Sequence, residues 1–262
     1  MKTTKLILIG GVAAWIAGTV WAAPYVVKMD GSRVTGSAIR ALATGDVNLT
    51  TEMGIMTYKK GTFQKAVADK PAEYDQGLAA LRAQKYDDAI KLFTGIMASL
   101  RGLDWDVAAA RELPKAMLGK GDAEGAVKAY EQLFLLSPAE KQNPDAAWGM
   151  RRAMLKAKQY PALIRQLDAV AAAGNRAEAA RAQTMRGDVQ LDQNNVELAA
   201  IDYLRTAILF QDLNDPAVLG EATYKAAAAL EQMRDPRAKD LYKKVATDFR
   251  SSPYAAQAAG KM

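Results

Sequence analysis

A short phrase recurs along this chain: a small residue, three further residues, then a large apolar or aromatic one. It reads Ala89-Ile90-Lys91-Leu92-Phe93, Ala126-Val127-Lys128-Ala129-Tyr130 and Ala238-Lys239-Asp240-Leu241-Tyr242. Ala89 and Ala126 lie 37 residues apart, Leu163 stands another 37 along, and Ala199 and Ala200 follow after 36 and 37. Self-similarity at that period is produced by stacked helical hairpins, each too small to bury its own apolar face and each covered by the next. Such an array offers an extended surface more readily than a reaction centre.

After Asp69-Lys70-Pro71 the apolar residues keep the three- and four-residue steps of a helix. The spacing predicts a first helix over 72–84, with Gly77, Ala80 and Leu81 toward its partner. A second carries Tyr86, Ala89, Ile90, Phe93, Ile96, Met97 and Leu100 on one face and leaves Asp87, Asp88, Lys91 and Thr94 wet. The next hairpin turns at Gly119-Lys120-Gly121-Asp122 and exits at Ser137-Pro138, where proline cannot continue the helix. The third opens on a cap pattern at Pro144-Asp145, turns at Gln159-Tyr160-Pro161 and ends at Gly174-Asn175. The fourth holds Met185 and Gly187, turns at Gln193-Asn194-Asn195 and presents Ala199, Ala200, Tyr203, Leu204, Ala207 and Ile208 to the core. The fifth opens at Asp215-Pro216 and runs through Ala222, Ala226, Ala229, Leu230, Ala238, Leu241, Tyr242, Val245 and Phe249. Five hairpins exceed the roughly three that a self-supporting stack needs. Tyr254, Ala255, Ala258 and Ala259 suggest one more helix, whose apolar side could meet a second subunit and make a homo-oligomer.

Residues 24–68 follow a different rule. Tyr25, Val27 and Met29 alternate, as do Val47 and Leu49, and Asp30-Gly31, Gly45-Asp46, Gly54 and Lys60-Gly61 supply turns. Four or five short strands fit this length, too few to bury much core alone. The expected architecture is therefore mainly α: about five helical hairpins over 69–262, preceded by a small β module over 24–68.

Residues 1–23 have the form of a secretory signal, with Lys2 and Lys5 before an apolar run from Leu6 to Val20 and small residues at Ala22 and Ala23. The chain is thus expected in the periplasm or secreted, an uncleaved membrane anchor being the alternative. Export permits disulfides, but the chain has no cysteine, so stability rests on burial and a lipid-bearing cysteine is excluded. Losing Lys2 and Lys5 with the leader lowers the formal charge of +6 by two, too mild a surplus for a nucleic-acid partner.

Histidine is absent, which removes the usual general base and the commonest metal ligand. Asp104-Trp105-Asp106 is the one local carboxylate pair that could serve glycan cleavage, but adjacent acids in a loop seldom converge, and helix capping accounts for them equally well. No catalytic residue, cofactor or metal is expected.

The hairpins resemble tetratricopeptide (TPR) repeats over residues 72–260. The second fits best after its turn, at Gly121-Asp122, Ala126, Tyr130 and Pro138. It departs at Pro114, where a small residue is expected, so its first helix should kink or begin near Leu113. The third departs at Leu163, which predicts looser or rotated packing. The segment from Leu241 to Ala255 is similar to repeats of periplasmic proteins associated with the Tol–Pal system and of outer-membrane assembly lipoproteins. Residues 24–67 resemble a small SH3- or Sm-like barrel, with a plain hairpin as the alternative. These resemblances imply a non-catalytic scaffold of the cell envelope that binds protein or peptide partners.

In such an array the first helix of each unit lines the inner groove. Outward positions there are Tyr74 and Arg82, Arg111 and Lys115, Trp148, Arg152 and Lys156, and Arg181. Arginine pairs carboxylates bidentately and tryptophan buries a large area, so this set points to an acidic or C-terminal peptide. The alternatives are a solvated basic face and, for Trp148, a core position. Tyr58-Lys59-Lys60 in the strand module is a candidate contact for anionic lipid or glycan, with peptidoglycan as the alternative partner.

Overall fold

The computed structural model describes residues 23–173 and 175–262; residues 1–22, nearly all of the signal segment expected over residues 1–23, and Gly174 lie outside them. Two compact units follow one another, one ending at Ala116 and the other spanning Met117–Met262.

The first unit opens with β1 (Tyr25–Lys28), β2 (Arg33–Thr35), β3 (Ala38–Ala41), β4 (Val47–Thr51), β5 (Gly54–Tyr58) and β6 (Phe63–Val67). These six strands, more than the four or five expected, form two antiparallel sheets in the orders β2-β1-β6 and β3-β4-β5. Gly31, Gly45, Gly54 and Gly61 all have positive φ, the conformation their turns demand and other residues resist. Val26, Val47 and Leu49 are almost wholly buried with Tyr58, Ala66, Ala68 and Leu103. In β1 it is therefore Val26 that fills the core, and Met29, from the alternating set read in the sequence, is 61% exposed. With apolar residues at Tyr25, Val26 and Val27 alike, sequence alternation does not fix which face turns inward.

Helices α1 (Ala72–Arg82) and α2 (Tyr86–Ser99) pair as the first hairpin. Phe93 fills the space beside Gly77, where a Cβ would stand 2.7 Å from its ring. Helix α3 (Trp105–Lys120) starts well before Leu113 and carries Pro114 in its buried interior, which corrects the expected late start.

The second unit continues with α4 (Ala123–Leu136), a 3₁₀ turn at Pro138–Gln142, α5 (Pro144–Lys156), α6 (Tyr160–Ala172), α7 (Arg176–Asp192) and α8 (Val196–Leu209). Then come α9 (Pro216–Gln232), α10 (Arg237–Asp248) and the short α11 (Ala255–Ala259). Each helix from α4 to α11 packs on the next. Asn143 caps α5, one residue before the expected pair, by accepting the Asp145 amide at 3.0 Å. Asn175 does not end α6; it caps α7, accepting from Glu178 at 3.1 Å. Asp215 caps α9 with Pro216 in the first turn, as the sequence suggested.

Tyr203 covers Gly187 from 16 residues along, the same separation as Phe93 from Gly77, and Tyr130 covers Gly149 from the helix before. Leu163 is fully buried, but α5 and α6 touch over less of their length than the hairpins on either side of Asn194 and Arg234. A leucine where an alanine is usual holds the two axes apart. Ile208, expected in the core, is 61% exposed. Tyr254 stacks on Tyr224 at 5.0 Å and Ala258 is fully buried, so the apolar side of α11 closes the chain's own core and is not left for a second subunit. Among the described residues no helix is long and apolar enough to cross a membrane.

Candidate partner-binding site

In the second unit the first helices of three successive hairpins, α5, α7 and α9, line an open cavity of about 420 Å³. Four residues singled out in the sequence, Trp148, Arg152, Lys156 and Arg181, share it. Trp148 is both core and wall: it is 5% exposed, its indole N–H donates to Glu178 at 2.7 Å, and the guanidinium of Arg151 lies 4.7 Å over its ring. Burial depresses the pKa of Arg151, against the attraction of Glu178, and its Nε finds no hydrogen-bond partner. Arg181 faces the same Glu178 at 3.6 Å. Arg152 and Lys156 are exposed and, among the described residues, make no ion pair.

The other end of the cavity is acidic in part. Lys225 binds Asp188 at 2.9 Å and Glu221 at 2.6 Å, and Tyr203 donates to Asp188 at 2.8 Å. Burial opposes the charge of Lys225, but the two carboxylates outweigh it and raise its pKa. Burial and then Asp188 push the Tyr203 phenol up. Asp188 and Glu221 are thus occupied by Lys225, while Arg152 and Lys156 remain available to a ligand.

Sequence reasoning missed Met185, Thr184, Asp188, Val218, Glu221 and Lys225 as wall residues. The signal was the repeat itself: 37 residues separate Trp148 from Met185, Arg181 from Val218, Thr184 from Glu221 and Asp188 from Lys225. Carrying the period forward from Trp148 and Arg181 finds two of them directly.

The remaining candidates belong to the first unit. Tyr74 is half-buried, its ring 5.2 Å from Trp105 and 6.0 Å from Phe93, and burial raises its pKa. It is chiefly a packing residue. Arg82 is exposed in the last turn of α1, Arg111 is exposed on α3, and Lys115 pairs with Glu112 at 2.9 Å. Asp104 binds Lys65 at 2.9 Å, while Asp106 is buried and accepts the Gly102 amide at 2.7 Å. The two carboxylates diverge, one to a lysine and one to the loop before α3, and frame no cleavage site. Tyr58 is buried in the strand core, while Lys59 pairs with Asp46 at 3.0 Å and stays, like Lys60, exposed.

Among the described residues no group of three or more potential ligands could hold a metal ion. No known family profile and no curated protein matches the sequence. Solved structures do match the fold. TPR-like repeats of a protein named as a kinesin light chain from Podosopora anserina, in a point-variant crystal structure, superpose with a TM-score of 0.51 at 15% identity, over 66% of this chain and 91% of that one. A double mutant of MamA RS-1 matches with a TM-score of 0.45 at 18% identity, over 69% of this chain and 96% of that one. The helical hairpins are therefore TPR-like, and the likeness extends to fold alone.

Proposed function

We propose that this chain is a non-catalytic scaffold whose α5–α7–α9 cavity receives an extended peptide segment carrying carboxylates. One observation carries the reading: Arg152 and Lys156, exposed and without ion pairs among the described residues, stand on the cavity wall that Trp148 and Met185 make apolar. A carboxylate meeting them forms charge-assisted hydrogen bonds without displacing an internal partner, while a neighbouring side chain covers the aromatic face. The Asp188–Lys225–Glu221 end, where two carboxylates share one ammonium and leave a negative surplus, accepts from backbone amides and hydroxyls and repels a further carboxylate.

The leader expected over residues 1–23 and the likeness of residues 241–255 to Tol–Pal-associated repeats support an exported protein that assembles an envelope complex. Fractionation of cells expressing the chain, with the N-terminus of the recovered product determined, tests the location. Binding is tested with fluorescent hexapeptides of equal apolar content bearing acidic, neutral or basic residues. Preference for the acidic peptide, reduced at least about tenfold in Arg152→Glu/Lys156→Glu, is expected for two lost charge-assisted contacts. Equal affinity for all three peptides, or indifference to the double substitution, removes the reading.

A further inference from the structure

The outer edge of β5 offers a second surface, independent of the α5–α7–α9 cavity. Among the described strands four lie at sheet edges, and three carry a charged residue: Arg33 in β2, Arg40 in β3 and Lys65 in β6. Such charges keep edges from pairing with other chains. β5, reading Gly-Ile-Met-Thr-Tyr, has none, and its first four residues are exposed. Ile55 is 68% exposed, Met56 37%, and Met53 in the preceding turn 92%.

The direction of its free hydrogen-bonding groups follows from the neighbouring strand. The carbonyls of Asp46 and Thr50 accept from Leu42 and Ser37, each at 2.8 Å, so these residues turn their main chain toward β3. Their alternates Val47 and Leu49 therefore face β5, where they oppose Tyr58 and Met56. Ile55 and Thr57 are left with N–H and C=O groups pointing off the unpaired edge.

We infer that this edge pairs with the same edge of a second copy of the chain, antiparallel and centred on Met56. In that register Ile55 of each copy opposes Thr57 of the other, and both pairs exchange their free main-chain groups. The two Met56 residues meet as a close, non-hydrogen-bonded pair on the face that already carries the buried Leu49, joining the two strand cores. Charge selects the same register. Glu52 in the turn before β5 of each copy comes to the same end of the paired strands as Lys60 in the turn after β5 of the other, and among the described residues neither side chain has an ion-pair partner. A two-fold contact needs a self-complementary patch of this kind.

Sedimentation of the full chain from micromolar to submillimolar concentration should show a monomer–dimer equilibrium. Thr57→Pro removes an outward N–H, keeps the main-chain bonds to β4 and gives up only the hydroxyl's bond to Asn48, and should weaken the dimer by about tenfold or more. Glu52→Lys and Lys60→Glu should each weaken it, and the double exchange should restore it. Because the chain has no cysteine, Met56→Cys should form a disulfide-linked dimer under mild oxidation, the paired Cα atoms standing about 4.5 Å apart. Met29→Cys, more accessible but outside β5, should not. A chain that stays monomeric throughout overturns the inference, and so does one whose edge instead takes a strand from another protein. A dimer indifferent to Thr57→Pro, Glu52→Lys and cysteine at position 56 overturns it as well.

Discussion

The ring of Tyr203 occupies the space that Gly187 leaves by having no side chain: a Cβ on Gly187 would stand 2.4 Å from it. Tyr203 is fully buried and held by Asp188 at 2.8 Å, so it cannot step aside. Alanine in a helix interior is ordinarily better than glycine by about 1 kcal/mol. Here overpacking, at about 1–3 kcal/mol, should win, and Gly187→Ala should lower stability in urea denaturation. Gly95 in α2 has open space around its Cβ position, and Gly95→Ala should raise stability by about 0.5–1 kcal/mol. Opposite signs for two identical substitutions would separate packing from propensity.

Alkaline pH should unfold this protein through the cluster around Asp188. The folded pKa of Lys225 is raised, so its contribution is fully present below the unfolded value of about 10.4 and is lost as pH climbs toward the folded value. The Tyr203 phenol is likewise held protonated above its unfolded value of about 10, so the unfolded chain gives up that proton first. Both groups act in the same direction, and stability should fall from about pH 10 upward, by at most about 1.4 kcal/mol per pH unit for each group. Tyr203→Phe should be less stable at pH 8 but flatter above pH 10. Thermal melts of both proteins across this range check the slope.

The five hairpin turns share one device with different residues in it. Gln84, Gly121, Lys158, Asn194 and Arg234 all have positive φ, spaced 37, 37, 36 and 40 residues apart. At Gln84 the following amide reaches back from Lys85 to Ala80, and the same pattern recurs at Gln159 to Met154, Asn195 to Gln190 and Asp235 to Leu230. A side chain in this conformation costs about 1 kcal/mol against glycine. Lys158→Gly and Arg234→Gly should each raise the denaturation midpoint, and Asn194→Gly should raise it less, because asparagine adopts the conformation more easily.

The repeat made the hairpins legible because a small residue opposite a large one is a packing requirement written in the sequence: Gly77 with Phe93, Gly187 with Tyr203. The turns at Gln84, Lys158 and Arg234 were less so, since no glycine marks them and the hydrogen bonds that hold them are main-chain. The cap at Asn143 was misplaced by one residue because Asn143, Pro144 and Asp145 all suit a helix start and only the geometry says which carbonyl oxygen takes the amide. Half of the named groove residues share one cavity, as Trp148, Arg152, Lys156 and Arg181 do. What periodicity could not reveal is which charges are already engaged: Lys115 with Glu112, Lys59 with Asp46 and Lys225 with two acids all look free in a sequence.

Trp148 offers a direct view of the cavity. In the described residues the other tryptophan is Trp105, whose indole N–H is bound to the Ala68 carbonyl at 2.9 Å in the first unit. In a Trp105→Phe protein without residues 1–22, which hold Trp15 and Trp21, Trp148 alone reports. A carboxylate peptide seated on Arg152 and Lys156 should shift or quench its emission with the same titration curve as the binding measurement. Salt should weaken the effect, because the contacts lie at exposed cations. Trp148→Phe removes the donor to Glu178 and should cost about 1–2 kcal/mol of stability, since the carboxylate keeps only the longer contact with Arg181. Binding by that variant should fall further than its stability explains, because the aromatic part of the cavity wall is then smaller. Emission indifferent to saturating peptide would place the binding surface away from α5.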